Sequence, residues 1–307
     1  MSPTDLDVVT GAFGNTGRFI ARRLLDAGRQ VRTLTHRPEV ADPLAAEVSP
    51  VPYRFDDPDA LADSLRGAET LYNTYWVRMS RGSAQEDAVA HSRSLFEAAA
   101  RAGVERIVHI SVMHPSLTSP YPYFRRKAQV EAALAASGVS HAIVRPALVF
   151  GPENVLVDNI AWLLRHVPVF AVAGNGRYPV RPVHVDDVAR ICVDLGGTRE
   201  TLVIDAGGPD TLTFDELVGA IKRAVASRAR IVHVPLAAVE LTGRGLGLVL
   251  RDVLATGEEL RSTVDGLASF EGPSPSETSF LAWVAAHGHE LGRTYRRQAR
   301  YPRRQRR

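Results

Sequence analysis

An α/β fold on a doubly wound parallel sheet is predicted by three observations in the first 37 residues. Leu6-Asp7-Val8-Val9-Thr10 and Val31-Arg32-Thr33-Leu34-Thr35 are short apolar runs, as strands buried on both faces of a parallel sheet require. Between them Phe19, Ile20, Leu24 and Ala27 recur at helical spacing, with Arg18, Arg22, Arg23 and Asp26 largely on the other side. Gly11, Gly14 and Gly17 join the first strand to that helix in a Gly-x-x-Gly-x-x-Gly pattern. This is one residue wider than the dinucleotide fingerprint, and the chemistry is the same. Gly11 permits the sharp turn, Gly14 lets the backbone approach a pyrophosphate, and Gly17 lets the helix pack against the strand. The helix N-terminus then offers free N–H groups and a positive dipole end to phosphates. Phe13, Asn15 and Thr16 complete the loop and are expected beside the cofactor.

Bulk composition sets the outer bounds. The 307 residues suffice for a Rossmann core with a smaller C-terminal α+β lobe for substrate. We place the core at 1–151, an interleaved lobe at 152–292 and a basic tail at 293–307. Cys192 is the single cysteine, which excludes an intrachain disulfide, and its apolar run makes it a packing residue. No stretch approaches the roughly twenty apolar residues of a membrane span. The first strand starts too early to leave room for a signal peptide, so a cytoplasmic protein with no membrane partner is expected. Eight arginines crowd the last fifteen residues, and removing their charge takes the formal net charge from +3 to −5. The folded body is therefore mildly acidic. The tail reads as a solvated, disordered end, and no nucleic-acid partner is expected.

The remaining elements follow in order. Val51 to Asp57 is a short strand ending in acids, and Leu61, Leu65 and Ala68 mark a helix after Pro58. Asp56 or Asp57 is placed either to accept from an adenine amino group or to cap that helix. Glu69 to Trp76 reads as the next strand. Its end, Asn73, Thr74, Tyr75 and Trp76, is rich in groups that suit a ligand crevice at a sheet's carboxyl edge. A helix from about Ala84 to Ala102 precedes the strand Arg106-Ile107-Val108-His109-Ile110-Ser111. A Pro- and Ser-rich loop then leads to a helix opened by Tyr123-Phe124-Arg125-Arg126-Lys127.

Tyr123 and Lys127 stand one turn apart on one helix face. An ammonium beside a phenol favours the phenolate and lowers its pKa from about 10, giving an acid/base usable near neutral pH. The set Gly11/Gly14/Gly17, Asp56, Ser111, Tyr123-x-x-x-Lys127 and Arg145-Pro146-Ala147-Leu148-Val149-Phe150-Gly151-Pro152 resembles the short-chain dehydrogenase/reductase superfamily. The glycine spacing, that Arg-Pro…Phe-Gly-Pro exit and His184-Val185-Asp186-Asp187 are similar to its extended and atypical branches. Those include NAD(P)-dependent epimerase/dehydratases, NmrA-like proteins and the nucleotide-binding accessory subunit of respiratory complex I. The resemblance implies Tyr123 as acid/base, Lys127 on the nicotinamide ribose and Ser111 orienting the reacting carbonyl. It also implies Asn73, Thr74, Pro146 and Leu148 as cofactor contacts, and a homodimer formed through the helices flanking Ser111.

Cofactor choice follows from charge. An NAD site wants an acid near the end of the second strand, and none occurs from Val31 to Arg37. Arg37, with His36 or Arg18 assisting, would instead hold the 2′-phosphate of NADP. Beyond the sixth strand, about Ala142 to Val149, the pattern becomes irregular. Asn154 to Arg165 suggests a helix, and Thr213-x-x-Glu216 and Thr256-x-x-Glu259 are capping boxes. His184, Asp186 and Asp187 read as a turn and N-cap, so no metal is expected. The sequence thus points to an NADPH-dependent carbonyl reductase of hydrophobic or aromatic small molecules. Its substrate would be lined by Tyr75, Trp76, Met113, Leu148, Asn154 and Asn159. An epimerase or dehydratase with a recycled cofactor, and a non-catalytic nucleotide sensor or assembly protein, are the alternatives.

Overall fold

The structure is a computed structural model that describes residues 5–36, 39, 41–76, 84–152, 154–239 and 257–296. The chain runs β1 (Leu6–Thr10), α1 (Asn15–Asp26), β2 (Gln30–Thr35), β3 (Ser49–Pro52), α2 (Pro58–Leu65), β4 (Thr70–Asn73), α3 (Ala84–Ala102) and β5 (Arg106–Ile110). It continues through α4 (Pro122–Ala136), β6 (Ser140–Pro146), β7 (Leu148–Phe150), α5 (Val155–His166), β8 (Val169–Ala173), β9 (Pro179–Val180), β10 (Pro182–His184) and α6 (Val185–Gly196). Last come β11 (Leu202–Ala206), β12 (Leu212–Thr213), α7 (Phe214–Ala224), β13 (Arg230–Val234), α8 (Gly257–Val264) and α9 (Phe280–His287).

Two compact units divide the chain. The first takes the described residues of Met1–Ala147, Val183–Gly207 and Gly272–Glu277. It is a seven-stranded sheet in the order β11-β6-β5-β4-β1-β2-β3, parallel at every pairing. This is the predicted doubly wound α/β architecture. Leu61 and Leu65 of α2, Leu95 and Phe96 of α3, and Val130 and Leu134 of α4 pack with Val8, Leu71 and Ile107 of the strands. Ile20, Ala21 and Leu24 of α1 and Val188, Ile191 and Cys192 of α6 are likewise buried. Arg23 forks both oxygens of Asp186 at 2.7 Å, joining α1 to α6.

The chain first leaves this unit after Ala147 and returns to it for residues 183–207. Arg106, fully buried at the start of β5, fastens that return. It donates to the carbonyl of Leu195 at 3.1 Å and to the hydroxyls of Ser140 and Thr198 at 2.7 and 3.0 Å. His184 caps α6 by accepting from the Asp186 N–H at 3.3 Å, the turn and N-cap read from the sequence.

The second unit comprises the described residues of Leu148–Pro182, Gly208–Glu271 and Thr278–Arg307. Its core gathers Phe150, Val157, Ile160, Leu164, Leu217, Ile221, Phe280 and Val284. β13 pairs with β8 in parallel and β12 with β9 antiparallel, pairs too short to leave a periodic trace in the sequence. The capping box at Thr213 and Glu216 is formed on both sides. Thr256 of the other box lies outside the described residues.

Candidate active site

Strand order turns between β1 and β4, and the carboxyl ends there open the crevice that parallel sheets use for ligands. Gly11 follows β1 at φ +69°, donates its N–H to the carbonyl of Leu34 at 2.8 Å, and leaves the Ala12 N–H to Thr33 Oγ1 at 3.0 Å. Gly14 is the N-cap of α1, and no side chain caps that helix. A Cβ on Gly17 would run into the Gly11 carbonyl, so the helix rests directly on the turn. Side chains of Asp57, Asn154, His184 and Thr213 cap α2, α5, α6 and α7. At α1 the first amides and the positive dipole end are offered to an anion instead, which fits a pyrophosphate. Phe13 and Thr16 are half-buried beside the turn, and Asn15 is exposed.

Asn73 and Thr74 latch the switch point together. Asn73 is fully buried; its Oδ1 accepts from the Tyr75 N–H at 3.0 Å and from Thr10 Oγ1 at 3.2 Å. Thr74 donates its N–H to Thr10 Oγ1 at 2.7 Å and its hydroxyl to the Thr10 carbonyl. Tyr75 and Trp76 then part company. Tyr75 joins His36, Tyr53 and Phe55, and its hydroxyl meets His91 Nδ1 at 2.9 Å. Burial and the neighbouring His91 hold the His36 pKa below the usual histidine value. Trp76 instead lies 5.6 Å edge-on from Tyr123.

Tyr123, Trp76 and Lys127 therefore form one group, and Ser111 follows the strand whose last residue, Ile110, Lys127 bonds. The Lys127 ammonium sits over the Trp76 ring, 4.5 Å from its centroid, and donates to the Ile110 carbonyl at 3.1 Å. Ser111 Oγ and Trp76 Nε1 are buried with no hydrogen-bond partner among the described residues. Met113, two residues after Ser111, is 1 % exposed. Burial pushes the Lys127 pKa down to about 7, against a smaller upward pull from Glu131 one turn on. Arg145 forks that Glu131 at 3.0 and 2.6 Å.

The lysine has a consequence for stability. Its native pKa, about 7, lies below the ordinary 10.5, so between those values the unfolded chain binds the extra proton. Stability rises with pH across that window, and the cost of charging Lys127 in the fold is full below it. We expect Lys127→Met to stabilise the apoprotein most below pH about 7 and to flatten this rise. Urea unfolding across that pH range checks it; parallel curves for the two proteins would contradict it.

Several of the other expected residues have partners of their own. Asp56 is exposed, while Asp57 caps α2 through the Ala60 N–H at 3.0 Å. Arg18 pairs with Asp42 through two bonds of 3.1 and 2.5 Å. Arg37 lies outside the described residues, and His36, just past β2, has its ring 4.6 Å from that of Tyr53. Pro146 is buried at the end of β6, and Leu148 is half-buried in β7 of the second unit. Asn154 spends its Oδ1 on the Leu156 and Val157 amides. Asn159 exchanges two bonds of 2.9 Å with the Arg296 backbone. Both atoms of the Asn159 amide are thus engaged, while at Asn154 the bonds engage the oxygen.

Residues 11–195 match the model of a family described as NAD(P)H-binding. The chain belongs to the NAD(P)H-binding family. Among relatives of this NAD(P)H-binding protein, an uncharacterised protein of Mycobacterium tuberculosis is 33% identical over 222 residues. That match covers 70% of this chain and 23% of the relative, so the chain spans less than a quarter of its length. The Arabidopsis thaliana mitochondrial NADH dehydrogenase [ubiquinone] 1 alpha subcomplex subunit 9 is 26% identical over 74% of this chain and 60% of its own. The resemblance to the complex I accessory subunit therefore holds. The (4-alkanoyl-5-oxo-2,5-dihydrofuran-3-yl)methyl phosphate reductase of Streptomyces griseus is 31% identical over 71% of this chain and 73% of that one. In fold, the NADPH complex of an Escherichia coli NADPH-dependent quinone oxidoreductase superposes with a TM-score of 0.75 at 22% identity, covering 92% and 99% of the two chains. No helix among the described residues is long and apolar enough to cross a membrane.

Two features escaped the sequence reading. Asp42, which captures Arg18, sits in a loop with no periodic signal. His109, fully buried in β5, was read only as strand; a histidine within Arg106-Ile107-Val108-His109-Ile110 was the available signal.

Proposed function

We propose that this NAD(P)H-binding protein is an NADPH-dependent reductase of carbonyl groups on hydrophobic or aromatic small molecules, quinones among them. What carries the reading is the convergence of Tyr123, Lys127, Ser111 and Trp76 in one unit with the uncapped glycine turn. When bound, the nicotinamide supplies a hydride to the carbonyl carbon. Tyr123 gives its phenolic proton to the carbonyl oxygen, and the Ser111 hydroxyl donates a hydrogen bond to the same oxygen. Hydride and proton together make the alcohol. Lys127 holds the ribose and, when charged, favours the phenolate that Tyr123 leaves behind. Trp76 and Met113 supply the apolar wall that suits an aromatic acceptor over a sugar. Asn159 and Tyr75, whose polar groups are taken, are left out of the substrate site.

The preference for NADPH rests on the absence of an acid from Val31 to Arg37 and on Arg37 itself. Titration by nicotinamide fluorescence should show NADPH binding at least about tenfold tighter than NADH, the worth of one charge-assisted pair to the phosphate. Equal affinities would contradict the assignment to Arg37. With a panel of quinones and aromatic ketones, NADPH should be consumed stoichiometrically with product. Turnover without net consumption would point to a recycled cofactor and an epimerase or dehydratase.

A further inference from the structure

His109 lies in β5 and Ser111 directly follows that strand, its N–H still bonded to the Val144 carbonyl of β6 at 2.8 Å, so the alternation of an extended chain sends both side chains to the same face of the sheet. That face is the one covered by α3 and α4. The His109 ring meets Phe96 of α3 edge-on at 5.9 Å, and Lys127 of α4 reaches the Ile110 carbonyl between the two.

The bonds around His109 determine its tautomer. Asn73 Oδ1 is occupied by the Tyr75 N–H and the Thr10 hydroxyl, which turns the amide nitrogen toward His109 Nδ1 at 3.0 Å. An amide nitrogen only donates, so Nδ1 accepts and the proton of the neutral ring lies on Nε2. Burial, helped by the nearby Lys127, keeps the ring neutral by lowering its pKa well below the usual value. His109 is thus a fixed N–H donor aimed from Nε2. That atom and Ser111 Oγ are both buried and have no hydrogen-bond partner among the described residues. A buried donor left unsatisfied is costly, so two such atoms on one sheet face call for a shared polar occupant.

We propose that one water molecule bridges His109 Nε2–H and Ser111 Oγ, and that Asn73 and His109 thereby set the direction of the Ser111 hydroxyl. The water accepts from Nε2–H and donates to Ser111 Oγ. The serine's own proton is then turned outward, toward a carbonyl oxygen. His109 touches no substrate in this scheme; it is a positioning residue acting through Ser111. The kinetic part of this inference rests on the proposed reduction, whereas the bridge itself does not.

Two measurements test it on the full chain. A high-resolution crystal structure of the wild type should show a water about 2.7–3.2 Å from both atoms, and the same water should be missing in His109→Leu. An empty space there, or direct contact between the two side chains, overturns the bridge whether or not the protein turns over any carbonyl compound. In kinetics, His109→Leu should lower kcat about tenfold, the worth of one oriented hydrogen bond, with KM and NADPH affinity unchanged. His109→Gln, which keeps an N–H near the Nε2 position, should recover most of that rate. In a Ser111→Ala background the His109→Leu loss should vanish, because the group it orients is gone. Losses that multiply would show His109 acting on the rate independently of Ser111 and overturn the positioning role.

Discussion

Tyr123→Phe should lower kcat by about 10²- to 10⁴-fold, the range expected for a lost general acid, while NADPH affinity and thermal stability stay near wild type. The phenyl ring keeps the edge-on contact with Trp76 and the packing on Phe124, so only the hydroxyl is removed. Steady-state kinetics with a quinone or aromatic ketone, paired with a cofactor titration, separates the two outcomes. Unchanged turnover would reject Tyr123 as the proton donor, and joint loss of binding and turnover would show the ring acting on the cofactor.

Gly17→Ala should damage both the fold and the cofactor site. The new methyl would meet the Gly11 carbonyl oxygen and carbon, neither of which is the end of a flexible side chain. Either α1 lifts or the turn moves; Gly14, whose N–H bonds the same Gly11 carbonyl at 2.8 Å, must move with it. Overpacking of this kind costs about 1–3 kcal/mol, and displacing the amides should weaken NADPH binding at least about tenfold, one oriented bond's worth. Gly28 provides the comparison. It has φ +78° and open space where a Cβ would go, so Gly28→Ala should cost roughly 1–2 kcal/mol of backbone strain and leave NADPH affinity alone. Calorimetry and fluorescence titration on the two variants give both readings. Equal effects on affinity would mean that the glycine turn is not where the cofactor is held.

The core was legible because parallel strands buried on both faces leave apolar runs, as in Val8-Val9 and Ile107-Val108, separated by amphipathic helices. The Tyr123/Lys127 pair was legible because helical spacing alone puts the two on one face. Side-chain direction at strand ends was harder. Tyr75 and Trp76 are adjacent and both aromatic, yet one turns into the His36–Tyr53–Phe55 cluster and the other to Tyr123. A strand running one residue further or shorter would exchange them, and strand ends are where periodicity is weakest; β4 closes at Asn73. Long-range pairings carried no local signal at all. Arg18 pairs with Asp42, 24 residues on, and no local pattern marks that pair. Residues 183–207 gave a readable helix and strand, but their docking against β6 depends on Arg106 reaching Leu195 and Thr198. His109 shows the same limit, since its neutral tautomer is set by Asn73, 36 residues earlier.

The most direct test is a crystal structure of the protein with NADP⁺. The account predicts the pyrophosphate on the backbone amides of the Gly11–Gly17 turn, with the ribose at Lys127. The nicotinamide C4 should leave room for a carbonyl in hydrogen-bond reach of both Tyr123 and Ser111, about 2.6–3.2 Å. A dinucleotide bound away from that turn, or a Tyr123 hydroxyl directed out of the crevice with the cofactor in place, would contradict it.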